Sequence, residues 1–273
     1  MNNFCRKLCY CFFPSNSTVP LVEEIELSKK DHLPSETASE DDLFPRALYR
    51  DDELNVITYS KKRIIQFIES EFDMEATKET YKEFSNRDGM IFASKEVGSV
   101  ITSKFPLIRF TYSISKADLP NGFTLKQLAN YITGNTKRGE WDQSFKEYKV
   151  IEEKDGYCVL HTWNKSPMML ISERDTVDKK ADFYHEGEFY SFSSSVNDNY
   201  IPQIQDVVRI TDYLFIYNIK EDQNAFHIKS LSQMDVKMNI PPTLLKGTVP
   251  TKMSEWFKKL KATIKQDEQD GKL

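Results

Sequence analysis

From Leu54 the chain shows a pattern that is absent before it: Ile57, Ile64, Ile65, Ile68 and Phe72 recur at helical spacing with Lys61, Lys62 and Arg63 between them. This predicts a helix over 54–70, with a second helical piece reaching Phe84. Met90–Lys95 and Phe105–Ser113 then read as strands. A short helix follows over Thr124–Ile132, entered from Pro120-Asn121-Gly122. After Trp141 the period changes to that of antiparallel strands. Phe145–Glu152 and Tyr157–Trp163 flank Lys154-Asp155-Gly156, and Arg174–Tyr184 and Glu188–Val196 flank His185-Glu186-Gly187. Val207–Ile219 and Ala225–Val236 flank Glu221-Asp222-Gln223-Asn224. After Pro250, Met253, Trp256, Phe257, Leu260 and Ile264 form one apolar helical stripe, with Lys258, Lys261 and Lys265 on the other face. Strands do not alternate with helices, so a parallel sheet is excluded and the fold class is α+β. A long curved antiparallel sheet packed on one helix leaves a concave hollow where curvature exceeds what side chains fill.

The segments before Leu54 are of another kind. Residues 1–14 combine Phe4, Tyr10, Phe12 and Phe13 with Cys5, Cys9, Cys11, Arg6 and Lys7. Their apolar run is too short for a signal-peptide core, and Asn2 stands where N-myristoylation needs glycine. The three cysteines are candidate acylation sites; the alternative is a terminus whose cysteines do nothing. Residues 15–53 carry eleven acids against four basic residues without apolar periodicity, and read as an acidic disordered tether. Residues 54–266 form the domain, and 267–273 a disordered tail.

Charge and composition then remove whole classes. Net charge is -5, and outside residues 1–53 the acids and bases cancel, so the basic footprint of a nucleic-acid binder is missing. The chain has no apolar run of about 20 residues. Its four cysteines, Cys158 being the fourth, form no framework of spaced pairs, which favours a reducing, cytoplasmic setting. His32, His161, His185 and His227 are scattered. No G-x-S-x-G element, metal motif or phosphate loop accompanies them, so the chain does not read as an enzyme, and no metal or organic cofactor is implied.

Several segments, taken in order, resemble the START family of steroidogenic-acute-regulatory-related lipid-transfer domains. Arg138-Gly139-Glu140-Trp141-Asp142 is similar to its arginine–tryptophan–aspartate element, and Ser172-Glu173-Arg174-Asp175 to its "RD" element. Ser195-Val196, Ile201-Pro202 and Val208-Arg209 follow at comparable intervals. Gln233-Met234-Asp235-Val236-Lys237 with Ile240-Pro241 resembles the segment before the last helix. Thr176 and Asn239 depart from the family pattern. The resemblance spans about three quarters of the chain. It implies a helix-grip fold, in which a curved antiparallel sheet of about nine strands wraps a C-terminal helix around an internal lipid tunnel. Family members carry sterols, phospholipids or ceramide.

By the same resemblance, strand positions that meet head groups fall on Glu152, His161, Glu173, Ser193 and Ser230. Alternation along the strand opened by Arg174 adds Thr176 and Asp178, with Lys180, to the face of Arg174. Each has a plainer reading: Arg174 and Asp175 as structural ion-pair groups, Glu152 as a solvated turn residue, His161 as a satisfied core histidine. The lid and membrane contact would lie at Ile201, Trp256, Phe257 and Leu260, the lysines of the last helix facing an anionic surface. The partners implied are a lipid ligand and a membrane surface. The function implied is carrying one lipid between membranes; the alternative is a membrane-tethered lipid sensor.

Overall fold

The computed structural model describes residues 60–95, 105–154, 156–166, 172–196, 200–237 and 242–273. Helix α1, Lys61–Glu71, is capped by the Ser60 hydroxyl, which accepts the Arg63 amide, and buries Ile64, Ile65 and Ile68. The helical piece expected to reach Phe84 is instead a turn region followed by strand β1, Lys82–Arg87. β1 forms a hairpin with β2, Met90–Lys95, across Asp88-Gly89, both at positive φ (52° and 76°). Such a turn matches the twist of paired strands and suits Asp-Gly. The edge strand β1 is mostly exposed, so its sequence carried no apolar alternation to reveal it.

β3, Leu107–Ser115, leads through a single 3₁₀ turn to α2, Leu125–Thr133. Thr124 and Gln127 close a reciprocal capping box at its start. Next come α3, Lys137–Trp141; β4, Phe145–Lys154; β5, Tyr157–Asn164; β6, Arg174–His185; and β7, Glu188–Ser195. The strand expected over Val207–Ile219 is divided into β8, Val208–Arg209, and β9, Thr211–Glu221. β8 pairs in parallel with the start of β6, a local exception in an otherwise antiparallel sheet. β10, Ala225–Asp235, precedes α4, Pro242–Gln269. α4 was expected to start after Pro250, yet it runs through it. Pro250 removes the one backbone bond to the Lys246 carbonyl, and the Thr251 hydroxyl donates to the Gly247 carbonyl in the same turn.

The strand order is β1-β2-β3-β10-β9-β7-β6-β5-β4. One face, here the inner face, packs Phe92, Phe110, Tyr217, Ile219, Phe226 and Ile228 against α2 and against Phe257, Leu260 and Ile264 of α4. The outer face packs Phe183, Tyr190, Phe192, Leu214, Ile216 and Leu231 under α1. Arg109 fastens α1 there. Its guanidinium stacks over Tyr81 at 4.0 Å and donates to the Glu71 carbonyl at 2.9 Å and to Thr77 Oγ1 at 2.8 Å. No helix among the described residues is long and apolar enough to cross a membrane.

Candidate functional site

The inner face has two unlike halves. Over β2, β3 and β10 it is aromatic and filled by α4. Over β5, β6 and β7 it is small and polar, although buried. Alternation along β6 sends Thr176, Asp178, Lys180 and Asp182 inward and Val177, Ala181 and Phe183 outward. Their register partners on β7 are Ser195, Ser193 and Ser191, opposite Asp178, Lys180 and Asp182. Serines leave room that larger side chains would fill, and the next strand contributes Phe215 opposite Ser193 and Tyr217 opposite Ser191.

At one end of this strip lies a carboxyl pair. Ser195 Oγ donates to Asp178 Oδ1 at 2.7 Å and accepts the Asp212 amide at 2.9 Å. Asp212 reaches the inner face only because β9 bulges: Leu214 pairs with Gln233 and Asp212 with Met234, leaving Tyr213 as the extra residue. Tyr213 packs outward with the α1 cluster, and the residue before it is thereby turned inward. Burial raises both acids. For Asp178 hydrogen bonds from Ser195 and Thr176 oppose the shift; for Asp212 the neighbouring Asp178 adds to it. Both carboxyls are thus pushed toward their neutral forms, Asp212 the more strongly. Thr162 and Thr176 hydroxyls are joined across the strands at 2.9 Å beside them.

At the other end Lys180 Nζ meets Asp182 at 2.8 Å, Asn135 Oδ1 at 2.9 Å and the Thr133 carbonyl. Lys180, Asp182 and Asn135, with Cys158 and the β4–β5 turn, line a cavity of about 190 Å³. Burial pushes the Cys158 thiol up.

α3 roofs the strip. Arg138 lies among three rings, 5.1 Å from Phe145, 5.7 Å from Trp256 and 5.9 Å from Tyr148. Its Nε is 3.5 Å from Asp142 Oδ2 and has no hydrogen-bond partner. Asp142 instead accepts the Trp256 indole N–H at 2.7 Å and the Ser144 hydroxyl at 2.6 Å, so α3 and α4 are latched together. Trp141 packs on Trp256 at 5.1 Å. Burial pushes Tyr148 up to about 12. Tyr217 is raised too, by burial first, with Arg138 lowering it and Asp142 raising it.

Of the residues singled out in the sequence, Arg174, Thr176, Asp178, Ser193 and Ser230 stand on the inner face. Ser230 sits in the aromatic half, between Phe110 and Tyr217 in register. Glu152, His161 and Glu173 point the other way. A bulge at Ile151 sets Glu152 opposite Val159, and its carboxylate pairs with Lys154. His161, 1% exposed, lies between Glu147 (2.9 Å) and Asp175 (3.2 Å). Arg209 grips Asp175 with both arms, at 2.9 and 2.6 Å. Glu173 accepts the Trp163 indole at 2.9 Å and pairs with Lys146. On the lid side, Phe257 and Leu260 are buried in the core, Trp256 is half-buried, and the half-buried Ile201 gives its carbonyl to Arg209. Cys5, Cys9 and Cys11 lie outside the described residues. Asp212 and Arg138 were missed as site residues: the bulge that turns Asp212 inward and the helix that hangs Arg138 over the strip leave no local signal.

A strip of small polar residues under a helical roof is compatible with several sheet folds, and comparison with known proteins decides between them. The family model described as START domain matches residues 69–270. The chain belongs to the START domain family. Human STARD10 is similar in structure with a TM-score of 0.62 at 17% identity, covering 80% of this chain and 84% of that one. Human StAR-related lipid transfer protein 5 gives 0.59 at 19%, covering 76% and 99%. The human StarD13 (DLC2) lipid transfer and protein localization domain gives 0.54 at 18%, covering 76% and 98%. No curated protein sequence matches. This START domain thus has the expected helix-grip architecture, with α4 as the gripped helix.

Proposed function

We propose that this START domain holds one lipid molecule between the inner face of β5–β7 and α4, and carries it between membranes. The observation that supports this most directly is the inner strip itself. A fold that only needed a core would place apolar groups at Thr176, Asp178, Lys180, Ser191 and Ser195, all buried on the inner face. At this strip Asp212 Oδ1 and Arg138 Nε are buried without a partner, each at a cost of about 1–3 kcal/mol, so such a strip is retained for a ligand that meets them. Acyl or ring carbons supply the affinity, at roughly 0.8 kcal/mol per methylene removed from water. The relatives named for lipid transfer support the same reading. Mass spectrometry of lipids extracted from the purified protein tests it: a stoichiometric lipid is expected, and protein that copurifies with none and extracts none from vesicles refutes it.

The domain is read as a binder and not as an enzyme. Ser113, His227 and Asp222 do make a chain of contacts at 2.9 and 2.7 Å, but on the outer face, in solvent, where Asp222 caps the β9–β10 turn through the Asn224 and Ala225 amides. Tethering through acylated Cys5, Cys9 and Cys11, as transfer protein or as sensor, is a separate proposal. Hydroxylamine-sensitive fatty-acid labelling, lost when the three are changed to Ser, checks it.

A further inference from the structure

Resting on the lipid-binding reading above, we infer that Asp178 and Asp212 form the head-group end of the hollow and select a lipid whose polar end is an uncharged hydrogen-bond donor, a hydroxyl or amide, over one with a phosphate. The pair is a built feature. It takes a β-bulge to bring Asp212 inward and a serine on the intervening strand to hold both acids. Asp212 is 9% exposed, and its Oδ1 is buried with no hydrogen-bond partner. That oxygen is an acceptor that only a donor from outside the protein can satisfy.

Charge points the same way. Among the described residues, the cations near the strip are engaged by the protein's own groups: Arg174 donates to the Ser172 carbonyl, and Arg138, whose Nε lacks a hydrogen-bond partner, is wedged among three rings. Lys180 is held by Asp182, Asn135 and the Thr133 carbonyl; Arg209 spans Asp175 with both arms; Arg138 stands beside Asp142. The two carboxyls stand together in a buried setting. A phosphate brought against them would face carboxyl oxygens with little water to screen them, whereas a hydroxyl or amide N–H donates and adds no charge. The neighbouring Thr162 and Thr176 hydroxyls extend the polar surface without adding charge.

The test uses the full chain and donor vesicles of phosphatidylcholine containing, in separate arms, labelled ceramide, diacylglycerol, cholesterol or phosphatidic acid. At least one of the three donor-headed probes should be extracted at least tenfold faster than phosphatidic acid, and the arms tell amide-bearing from purely hydroxylic heads. Asp212→Leu should lower that extraction at least tenfold. Asp212→Asn should retain it, because its side-chain carbonyl keeps the acceptor. The neutral pair Asp178→Asn/Asp212→Asn, which preserves shape, should raise phosphatidic acid extraction at least tenfold even if the leucine variant fails to fold. Phosphatidic acid taken up by the wild type as well as the other probes, or unchanged selectivity in the double variant, overturns the inference while leaving lipid binding intact. Extraction of no probe and no other lipid fails the broader reading instead.

Discussion

Trp256 joins α4 to α3 by one hydrogen bond and one ring contact, and Trp256→Phe separates the two effects. The variant keeps an aromatic ring against Trp141 (5.1 Å) and Phe257 (4.9 Å) but removes the N–H that Asp142 Oδ2 accepts at 2.7 Å. A hydrogen bond to a buried charged acceptor is worth about 1.5–3 kcal/mol. If α4 must lift for lipid to pass, that latch opposes opening, and at about 1.4 kcal/mol per tenfold its loss raises the open population by about 10- to 140-fold at most. Arg138 narrows the range. Its Nε stands 3.5 Å from the same oxygen and lacks a partner, so it can close on the vacated site and recover part of the loss. The expected gain in vesicle-to-vesicle transfer for Trp256→Phe is therefore near tenfold, and Trp256→Phe combined with Arg138→Leu should approach the upper figure. Transfer is followed by dequenching of a fluorescent lipid, with thermal melts run beside it. Unchanged transfer in both variants, with melting temperature lowered as the lost bond requires, would show that α4 does not gate the hollow.

Phe257, 1% exposed against Phe110 (5.7 Å) and Tyr112 (4.6 Å), should behave as core: Phe257→Ala costs about 3–5 kcal/mol, or roughly 6–20 °C in melting temperature for a domain of this size. A shift under 2 °C by calorimetry would contradict that packing. His161→Ala removes the partner of Glu147 and Asp175 on the outer face, so it should cost about 1–3 kcal/mol in stability and leave lipid selectivity as it was. Altered selectivity with an unchanged melt would place the ring in the hollow after all. Tyr148, pushed from 10.0 up to about 12 by burial, and Tyr81, Tyr131 and Tyr190, raised for the same leading reason, favour the neutral phenol when folded. Their contribution to stability is whole below pH 10 and is lost as pH rises through the folded values. Phenolate absorbance from these four should therefore appear together with unfolding above about pH 10, and a gradual titration of all thirteen tyrosines in folded protein would refute it.

Much of the fold was legible because period alone reports which face of an element is covered. The hairpins of β4–β5, β6–β7 and β9–β10, the short helix before Trp141 and the apolar stripe of the last helix all appear where alternation and turn residues put them. β1 escaped because an exposed edge strand needs no apolar face. The start of α4 was placed too late because proline weakens a helix without forbidding it.

The sequence by itself implied a helix-grip domain through its family resemblance, and through a two-residue period it put Thr176, Asp178 and Lys180 on one face of a strand. It could not say that His161, Glu152 and Glu173 lie on the other face, because inside and outside are defined only once helices cover the sheet. Nor could it show that one extra residue at Tyr213 turns Asp212 inward to meet Asp178, two strands away. Strand period is local and survives in the chain as written. Bulges, register and the choice of covered face depend on pairing between distant segments, and only the assembled sheet fixes them.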